Sequence, residues 1–128
     1  MVTVDDMRGT AAGWSVTLSG GDFIPNPLTS SPNAAPFDIE NLSLDAQDPE
    51  IASDVSQPAA NLTGQSASDL SQVTNVAQTI WTASNGNGEG KFNLDLVGDL
   101  KIPGGTLVGN YSSTVTVTLG AAPVVSNP

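Results

Sequence analysis

The acidic segment DAQDPEIASD holds the residues best suited to bind a metal ion. It places carboxylates at Asp45, Asp48, Glu50 and Asp54. Calcium takes about six to eight oxygen ligands, often carboxylates, at flexible spacing. The spacing differs from that of an EF-hand loop, and a solvated acidic loop explains the same residues. We therefore expect a solvated loop, with a calcium site as the alternative and no other cofactor.

Asp6 and Arg8 stand two residues apart, where the first predicted strand ends. Opposite charges at this spacing could clamp a ligand. They are more typical of a turn held by an ion pair, or of an arginine that donates to loop carbonyls. Trp14 could stack on a sugar ring. Because Trp14 alternates with Val16 and Leu18, we predict that it lies in the core.

Several kinds of catalysis lack the residues they need. The chain has no cysteine and no histidine, and histidine is the commonest general base. Hydrolysis by paired carboxylates needs two acids facing each other across a cleft. Asp38, Glu40 and Asp95 instead fall on predicted solvent faces of strands. An isopeptide crosslink from Lys91 or Lys101 is conceivable, but no sequence pattern identifies its partner. We predict that the chain is not an enzyme.

The charge balance excludes two classes of partner. The chain has 13 acidic and three basic residues, for a net charge of −10 at pH 7. Nucleic-acid binding needs clustered lysine and arginine to displace counterions from phosphates. Anionic membrane surfaces also attract basic rather than acidic segments. No apolar run approaches the roughly 18 residues of a membrane-spanning helix. We expect no nucleic-acid partner and no membrane span.

Alternating apolar and polar residues predict the strands. The clearest is YSSTVTVTL, residues 111–119, which we predict to be one long strand. GWSVTLS, residues 13–19, follows the same pattern. FDIENLSL slips phase near Asn41, which suggests a bulge, and KFNLDLVGDL is predicted to break at Gly98. VTNVAQTIWTA favours a strand because it holds β-branched residues and Trp81.

The segments between the strands are rich in proline, serine and asparagine. SNGNGEG, residues 84–90, reads as a hairpin turn. Residues 45–71 hold few large apolar residues and read as long loops, with a short helical turn predicted around residues 66–73. Several strands at regular spacing without a long helical pattern predict an antiparallel, immunoglobulin-like β-sandwich. We predict a single domain over residues 1–128.

Three sequons, Asn-x-Ser/Thr, give candidate glycosylation sites at Asn41, Asn61 and Asn110. A chain rich in asparagine, serine and threonine produces some sequons by chance, so they matter only in an organism that glycosylates its surface proteins. Asn61 lies in a predicted loop, and we expect it to be the most accessible of the three.

Two segments resemble the WxL-type domains of bacterial cell surfaces. The first follows the pattern VTVxDxRGxxxGWxV and is matched by Val2, Val4, Asp6, Arg8, Gly9, Gly13 and Trp14. The second follows a pattern that ends in IPxxxxxGxYxSTxTxTL. It is matched by Gly88, Gly90, Phe92, Leu100, Ile102, Pro103, Gly109, Tyr111, Ser113, Thr114 and Leu119. The resemblance implies a WxL-like sandwich at an extracellular surface.

The chain departs from that family pattern in two places. The family's second tryptophan motif, in the last strand, is replaced here by VTVTL, residues 115–119. Members of the family usually have a further strand or two before the VTVxDxRG segment, whereas that segment begins here at Val2, directly after Met1. The first departure counts against wall attachment, and the second suggests a sheet edge that needs a strand from elsewhere.

These observations lead to two hypotheses of function. The first is a non-enzymatic structural subunit that forms a homopolymer, such as a pilus or filament, by head-to-tail strand sharing. Its assembly residues would be Val2 and Val4, or Val124 and Val125 in the C-terminal segment 120–128, the second donor candidate. The alternative is a monomeric adhesion module that binds cell-wall glycan.

Overall fold

The computed structural model describes residues 1–9 and 12–121 of the chain. Over these ranges the regular secondary structure is almost entirely β-strand. Two short 3-10 turns, Ile39–Asn41 and Ala59–Leu62, interrupt it. The strands are β1 (Val2–Asp6), β2 (Trp14–Gly20), β3 (Ile24–Pro25), β4 (Leu42–Ala46), β5 (Glu50–Ile51), β6 (Gln65–Ala67), β7 (Gln78–Ala83), β8 (Gly90–Leu94), β9 (Leu96–Leu100), β10 (Tyr111–Ser112) and β11 (Val115–Ala121).

The strands form two layers, and every pairing in them is antiparallel. One layer is a four-stranded sheet in the order β11-β2-β7-β6, here called the front sheet. The short pair β3–β10 lies beyond the end of the β2–β11 pair, because β3 follows β2 and β10 precedes β11 along the chain. The back layer contains the sheet β1-β8-β5 and the pair β4–β9. Only Asp95 separates β8 from β9, so the chain passes directly from the sheet β1-β8-β5 into the pair β4–β9. The predicted antiparallel β-sandwich is confirmed.

The core lies between the two layers and follows from the alternation along each strand. Trp14, Val16 and Leu18 on β2 are each at most 4% exposed. Phe92 and Leu94 on β8 are fully buried. The rings of Trp14 and Phe92 lie 6.5 Å apart between centroids and so join the layers directly. The predicted core position of Trp14 is confirmed.

Two predicted strands prove to be broken in unexpected places. Residues 111–119 do not form one strand, because β10 ends at Ser112 and β11 begins at Val115. β10 pairs with β3, whereas β11 pairs with β2. In KFNLDLVGDL the break falls at Asp95, while Gly98 lies within β9. Gly98 lies opposite Leu44 in the β4–β9 pair and does not end the strand.

Three predicted local features were also wrong. The phase slip near Asn41 is a 3-10 turn, capped by the Asp38 side chain that accepts from the Glu40 amide, and not a bulge. Residues 66–73 form no helical turn, since β6 ends there and Leu70 makes an isolated bridge to Leu44. Residues 84–90 are not a hairpin, because β7 and β8 belong to different layers. Within the described ranges, no helix has the length and apolar character that a membrane crossing requires.

Candidate functional site

The first loop is held by the ion pair that the sequence predicted. Arg8 Nε donates to Asp6 Oδ1 and Arg8 Nη2 donates to Asp6 Oδ2, each at 2.8 Å. The Arg8 amide donates to the same carboxylate, and Arg8 Nη2 also reaches the Gly13 carbonyl at 2.7 Å. Asp6 is only 6% exposed. The pair closes the loop between β1 and β2, so its role is structural.

Arg8 sets the charge state of Asp6. Its side-chain hydrogen bonds lower the pKa of the Asp6 carboxyl below the ordinary value of 3.8, although burial opposes the shift. Asp6 in turn raises the pKa of Arg8. A carboxylate held in its charged form by a bidentate arginine is suited to fixing a turn rather than to moving protons.

Trp14 anchors the far end of the same loop. Its Nε1 donates to the Gly88 carbonyl at 2.9 Å in a buried hydrogen bond. Gly88 has a φ of +84°, and a Cβ there would lie 2.6 Å from Trp14 Nε1 and 2.5 Å from the Ala83 Cβ. The glycine-rich segment between β7 and β8 is therefore shaped to receive the indole ring of Trp14.

β2 and β11 place the two WxL-like segments side by side. Leu18 lies opposite Val117, and Val16 lies opposite Leu119. Directly opposite residues project from the same face of a sheet, so all four side chains project toward the layer interface. Yet Val117 is 40% exposed and Leu119 is 53% exposed, whereas both β2 residues are 1% exposed. The back layer covers β2 and leaves the inner face of β11 open.

The far edge of β11 has no partner strand among the described residues. The Gly21 amide donates to the Thr114 carbonyl, one step beyond the Val115–Gly20 pair. Thr114 and Gly21 therefore form a hydrogen-bonded pair, and such pairs alternate with non-bonded pairs in antiparallel strands. Val115, Val117 and Leu119 fall in the non-bonded pairs, so their backbone N–H and C=O groups point away from β2. The edge therefore offers free N–H and C=O groups beside exposed apolar side chains.

A small groove lies where the open edge of β11 comes nearest to β1. Its volume is about 160 Å³, and its apolar lining includes Val4, Trp14 and Leu119. The Asp6–Arg8 pair borders it. The groove joins the first loop to the exposed end of β11, so these features occupy one side of the sandwich.

The outer face of the front sheet carries hydroxyl groups on every strand. Thr118 lies opposite Thr17, which in turn lies opposite Thr79. Beside them, Ser66 and Thr82 lie opposite each other with their hydroxyl oxygens 2.7 Å apart. The hydroxyl face is defined by Ser15, Thr17, Ser19, Ser66, Thr79, Thr82, Thr116 and Thr118, all exposed or half-buried.

The front sheet contains no charged residue. None of the segments WSVTLSG, QTIWTA, QSA and VTVTLGA includes Asp, Glu, Lys or Arg. The net charge of −10 is therefore carried by the rest of the chain. Rows of neutral donors and acceptors on a sheet can bind a neutral polyhydroxylated partner without desolvating a charged side chain.

The structure does not bring the four candidate calcium ligands together. Asp45 lies on β4, Glu50 lies on β5, and Asp48 lies between those strands. Asp54 instead pairs with Lys91. Across residues 1–9 and 12–121, no group of three or more acidic side chains has a geometry that could hold a metal ion. The geometry therefore gives the predicted calcium site no support.

Lys91 and Asp54 form an exposed ion pair, with Nζ and Oδ2 separated by 2.6 Å. Hydrogen bonding to Asp54 raises the pKa of Lys91, and Lys91 lowers the pKa of Asp54. A lysine nucleophile must be neutral to attack. The pair thus keeps Lys91 in the form that is unsuited to an isopeptide reaction.

The three sequons differ in exposure. Asn110 is exposed, whereas Asn41 and Asn61 are half-buried. The Asn41 side chain donates to the Asp38 carbonyl at 2.9 Å, and the Asn61 carbonyl accepts from the Gln65 side chain at 2.7 Å. The structure therefore presents Asn110 rather than Asn61 as the most accessible sequon. Glycosylation itself stays a prediction.

The predicted assembly residues fall into two groups. Val2 and Val4 lie on β1, which pairs with β8 of its own chain, and Val4 is 3% exposed. A strand paired in this way is not free to enter a neighbour, so the structure argues against β1 as the donor. Val124 and Val125 lie outside the described residues. The predicted donor role of the C-terminal segment 120–128 stays a prediction.

Sequence reasoning missed the most distinctive surface of the molecule. The outward hydroxyls of β2 and β11 were visible as alternation, but nothing placed β7 and β6 beside them. A usable signal was present, because the chain's charges avoid the segments WSVTLSG, QTIWTA and VTVTLGA. Such a gap in the charge distribution marks strands that share an uncharged surface.

Comparison with known families agrees with this description. Residues 1–123 match the family described as "WxL domain surface cell wall-binding". No curated protein and no solved structure shows a significant match. The family match confirms the predicted resemblance and the predicted location at the cell surface. The family is not one of enzymes. The chain belongs to the WxL family of cell-surface domains that bind the cell wall.

Proposed function

We propose that this chain is a non-enzymatic module that attaches to uncharged glycan of the cell wall through the hydroxyl face. The observation that carries the proposal is the distribution of charge. A chain with a net charge of −10 keeps one whole sheet free of charged residues and covers its outer face with serine and threonine. Membership of a wall-binding family gives independent support.

The chemistry of the face fits a polysaccharide. Each serine or threonine hydroxyl donates one hydrogen bond and accepts others, and sugar hydroxyls have the same capacity. The side chains stand on paired strands, which hold them at fixed spacing before a ligand arrives. Sites built on strands are more precise than sites built on loops. An uncharged glycan would also meet little repulsion there, unlike the anionic polymers of a wall.

Sedimentation with insoluble wall material tests this function. Purified protein is mixed with peptidoglycan from which anionic polymers have been removed, and the pellet is analysed. We expect the protein to co-sediment, and an excess of soluble peptidoglycan fragments should release it. Protein that remains in the supernatant at every wall concentration would contradict the proposal.

A second candidate function is assembly with further copies by strand sharing, in a homopolymer such as a filament. Two observations favour it: the unpaired outer edge of β11 and the exposure of its inner face. Such an edge is a ready template for another strand. Since β1 is already paired, the donor within this chain would be segment 120–128, with Val124 and Val125 as its apolar side chains.

Electron microscopy and truncation test this second candidate. Head-to-tail assembly predicts filaments of purified protein that disappear when residues 123–128 are deleted. A full-length protein that stays monomeric at high concentration would contradict assembly of any kind. A sedimentation control without wall material shows whether the protein pellets through assembly alone, so the two candidate functions are tested separately.

A further inference from the structure

We infer that β11 pairs antiparallel with β11 of a second copy, so that two front sheets become one continuous eight-stranded sheet. This inference rests on the self-association in the second candidate function but closes it as a dimer in place of an open homopolymer, and it is independent of wall binding. It replaces a donor tail with a symmetric contact in which each copy contributes the same strand. Such an isologous interface closes on itself and gives a dimer.

β11 differs from every other edge strand that the structure describes. Proteins protect exposed edges with charged residues, proline, bulges or very short strands. β1 carries Asp5 and Asp6, β4 carries Asp45, and β9 carries Asp99. β3, β5, β6 and β10 have two or three residues each. β11 has seven residues, VTVTLGA, with neither a charge nor a proline.

The register of the contact follows from the backbone. Because Val115, Val117 and Leu119 direct their free N–H and C=O groups outward, these residues must form the hydrogen-bonded pairs of the new ladder. Full overlap of the seven residues centres the two-fold axis on Thr118. Val117 then bonds to the partner's Leu119, and Thr118 faces the partner's Thr118 on the hydroxyl face. Cross-strand threonine pairs of this kind are favourable.

A second copy is the occupant that this edge fits, because β11 is self-complementary in this register and carries no charge. Two chains with a net charge of −10 repel each other over most of their surfaces. They can approach closely where the charge is absent, and the front sheet is such a region. The contact also brings Val117 and Leu119, which are 40% and 53% exposed, against the same side chains of the partner. Repulsion is thus reduced, although Asp5 and the Asp6–Arg8 pair lie near Leu119, and the same arrangement covers apolar surface.

A cysteine crosslink tests the register. The natural sequence has no cysteine, so Thr118→Cys introduces a single thiol on the proposed axis. Residues that face each other in a non-bonded antiparallel pair have Cα atoms about 4.5 Å apart, within the range that a disulfide spans. Under mild oxidation the full-length Thr118→Cys protein should form a covalent dimer. The matched Thr116→Cys protein should not, because its opposite residue is the partner's Gly120.

Analytical ultracentrifugation tests the contact itself. The unmodified protein should show a concentration-dependent equilibrium between monomer and dimer. Val117→Lys, which places a charge on the edge, should raise the concentration at the midpoint by at least about tenfold. Val76→Lys is the control, since Val76 is an exposed valine away from β11. It should leave the midpoint unchanged.

Three results would overturn the inference. They are a monomer at all concentrations, a series of larger species in place of a dimer, and equal crosslinking of the Thr116→Cys and Thr118→Cys proteins. The second of these would leave self-association standing in its head-to-tail form. None of them bears on sedimentation with the wall, so failure of this inference is distinguishable from failure of wall binding.

Discussion

Leu18 and Val117 lie opposite each other on paired strands, yet Leu18 is 1% exposed and Val117 is 40% exposed. The two side chains project from the same face of the front sheet. The difference therefore comes from the back layer, which covers β2 and stops short of β11. This arrangement places an open apolar strip and an unpaired edge next to the hydroxyl face, so one sheet carries both proposed contacts.

Loss of the first-loop ion pair should make the protein less stable and less sensitive to acid. Asp6→Asn removes a buried charge-assisted contact with Arg8, and we expect unfolding to become easier by about 2–3 kcal/mol at pH 7. Folding lowers the pKa of Asp6, so the stabilisation that the Asp6 carboxylate provides is complete when the pH is above its pKa in the unfolded chain, about 3.8. It disappears as the pH falls through the lower folded value.

Urea unfolding at several pH values from neutral to strongly acidic measures both effects. The unmodified protein should lose stability more steeply on acidification than the Asp6→Asn protein. Asp54→Asn is the matched control, because Asp54 makes an exposed pair with Lys91. Exposed pairs contribute little, so this variant should behave almost as the unmodified protein does. Parallel pH profiles for the Asp6→Asn and unmodified proteins would refute the assignment.

Two glycines in one loop should respond differently to the same substitution. Gly86 and Gly88 both have positive φ, at +90° and +84°. A Cβ at Gly86 would meet no atom within 4 Å, whereas one at Gly88 would collide with Ala83 and Trp14. Gly86→Ala should cost about 1–2 kcal/mol from backbone strain alone. Gly88→Ala should cost the same backbone strain and about 1–3 kcal/mol more from overpacking.

Thermal and urea unfolding of the two alanine variants separates these terms. Tryptophan fluorescence, to which both Trp14 and Trp81 contribute, offers a further readout, because only Gly88→Ala should disturb the Trp14 indole and its hydrogen bond to the residue 88 carbonyl. Equal losses of stability in both variants would show that the packing of Trp14 against this loop is less tight than the structure indicates.

Binding to the wall should be nearly insensitive to salt. The hydroxyl face has no charged residue, so there is no ion pair at the contact for salt to screen. Raising the sodium chloride concentration from about 0.05 M to about 0.5 M should change the dissociation constant by less than about twofold. Sedimentation assays across this range measure the effect. A steep fall in affinity with salt would instead point to an acidic surface that binds cationic groups of the wall.

Local alternation was enough to predict the strands that build the core. Trp14, Val16 and Leu18 alternate with polar residues, and the structure buries them as that pattern requires. The ion pair of Asp6 with Arg8 was also predictable, because two residues close in sequence form it. These features depend on neighbours along the chain and little on the rest of the fold.

The breaks and the open edge depend instead on distant partners. β10 and β11 are separate because their partners β3 and β2 are separate strands, with residues 21–23 between them. Val117 has the pattern of a core residue, and only the extent of the back layer decides that it is exposed. The hydroxyl face likewise needs the strand order β11-β2-β7-β6, which is not the order of the sequence.

The most direct test of wall attachment is removal of two adjacent hydroxyls from the centre of the face. Thr17 and Thr79 lie opposite each other on β2 and β7, away from the proposed dimer edge. The double variant Thr17→Val with Thr79→Val keeps size and β-propensity while removing two donors. Thr3→Val, on β1 of the back layer, is the matched control, because Thr3 is an exposed strand threonine outside the hydroxyl face.

The measurement is the dissociation constant of each protein for peptidoglycan that lacks anionic polymers. With a net contribution of about 0.5–1.5 kcal/mol for each hydrogen bond, the double variant should bind about tenfold more weakly. The Thr3→Val protein should bind as the unmodified protein does. Wild-type affinity in the double variant would contradict attachment through the hydroxyl face.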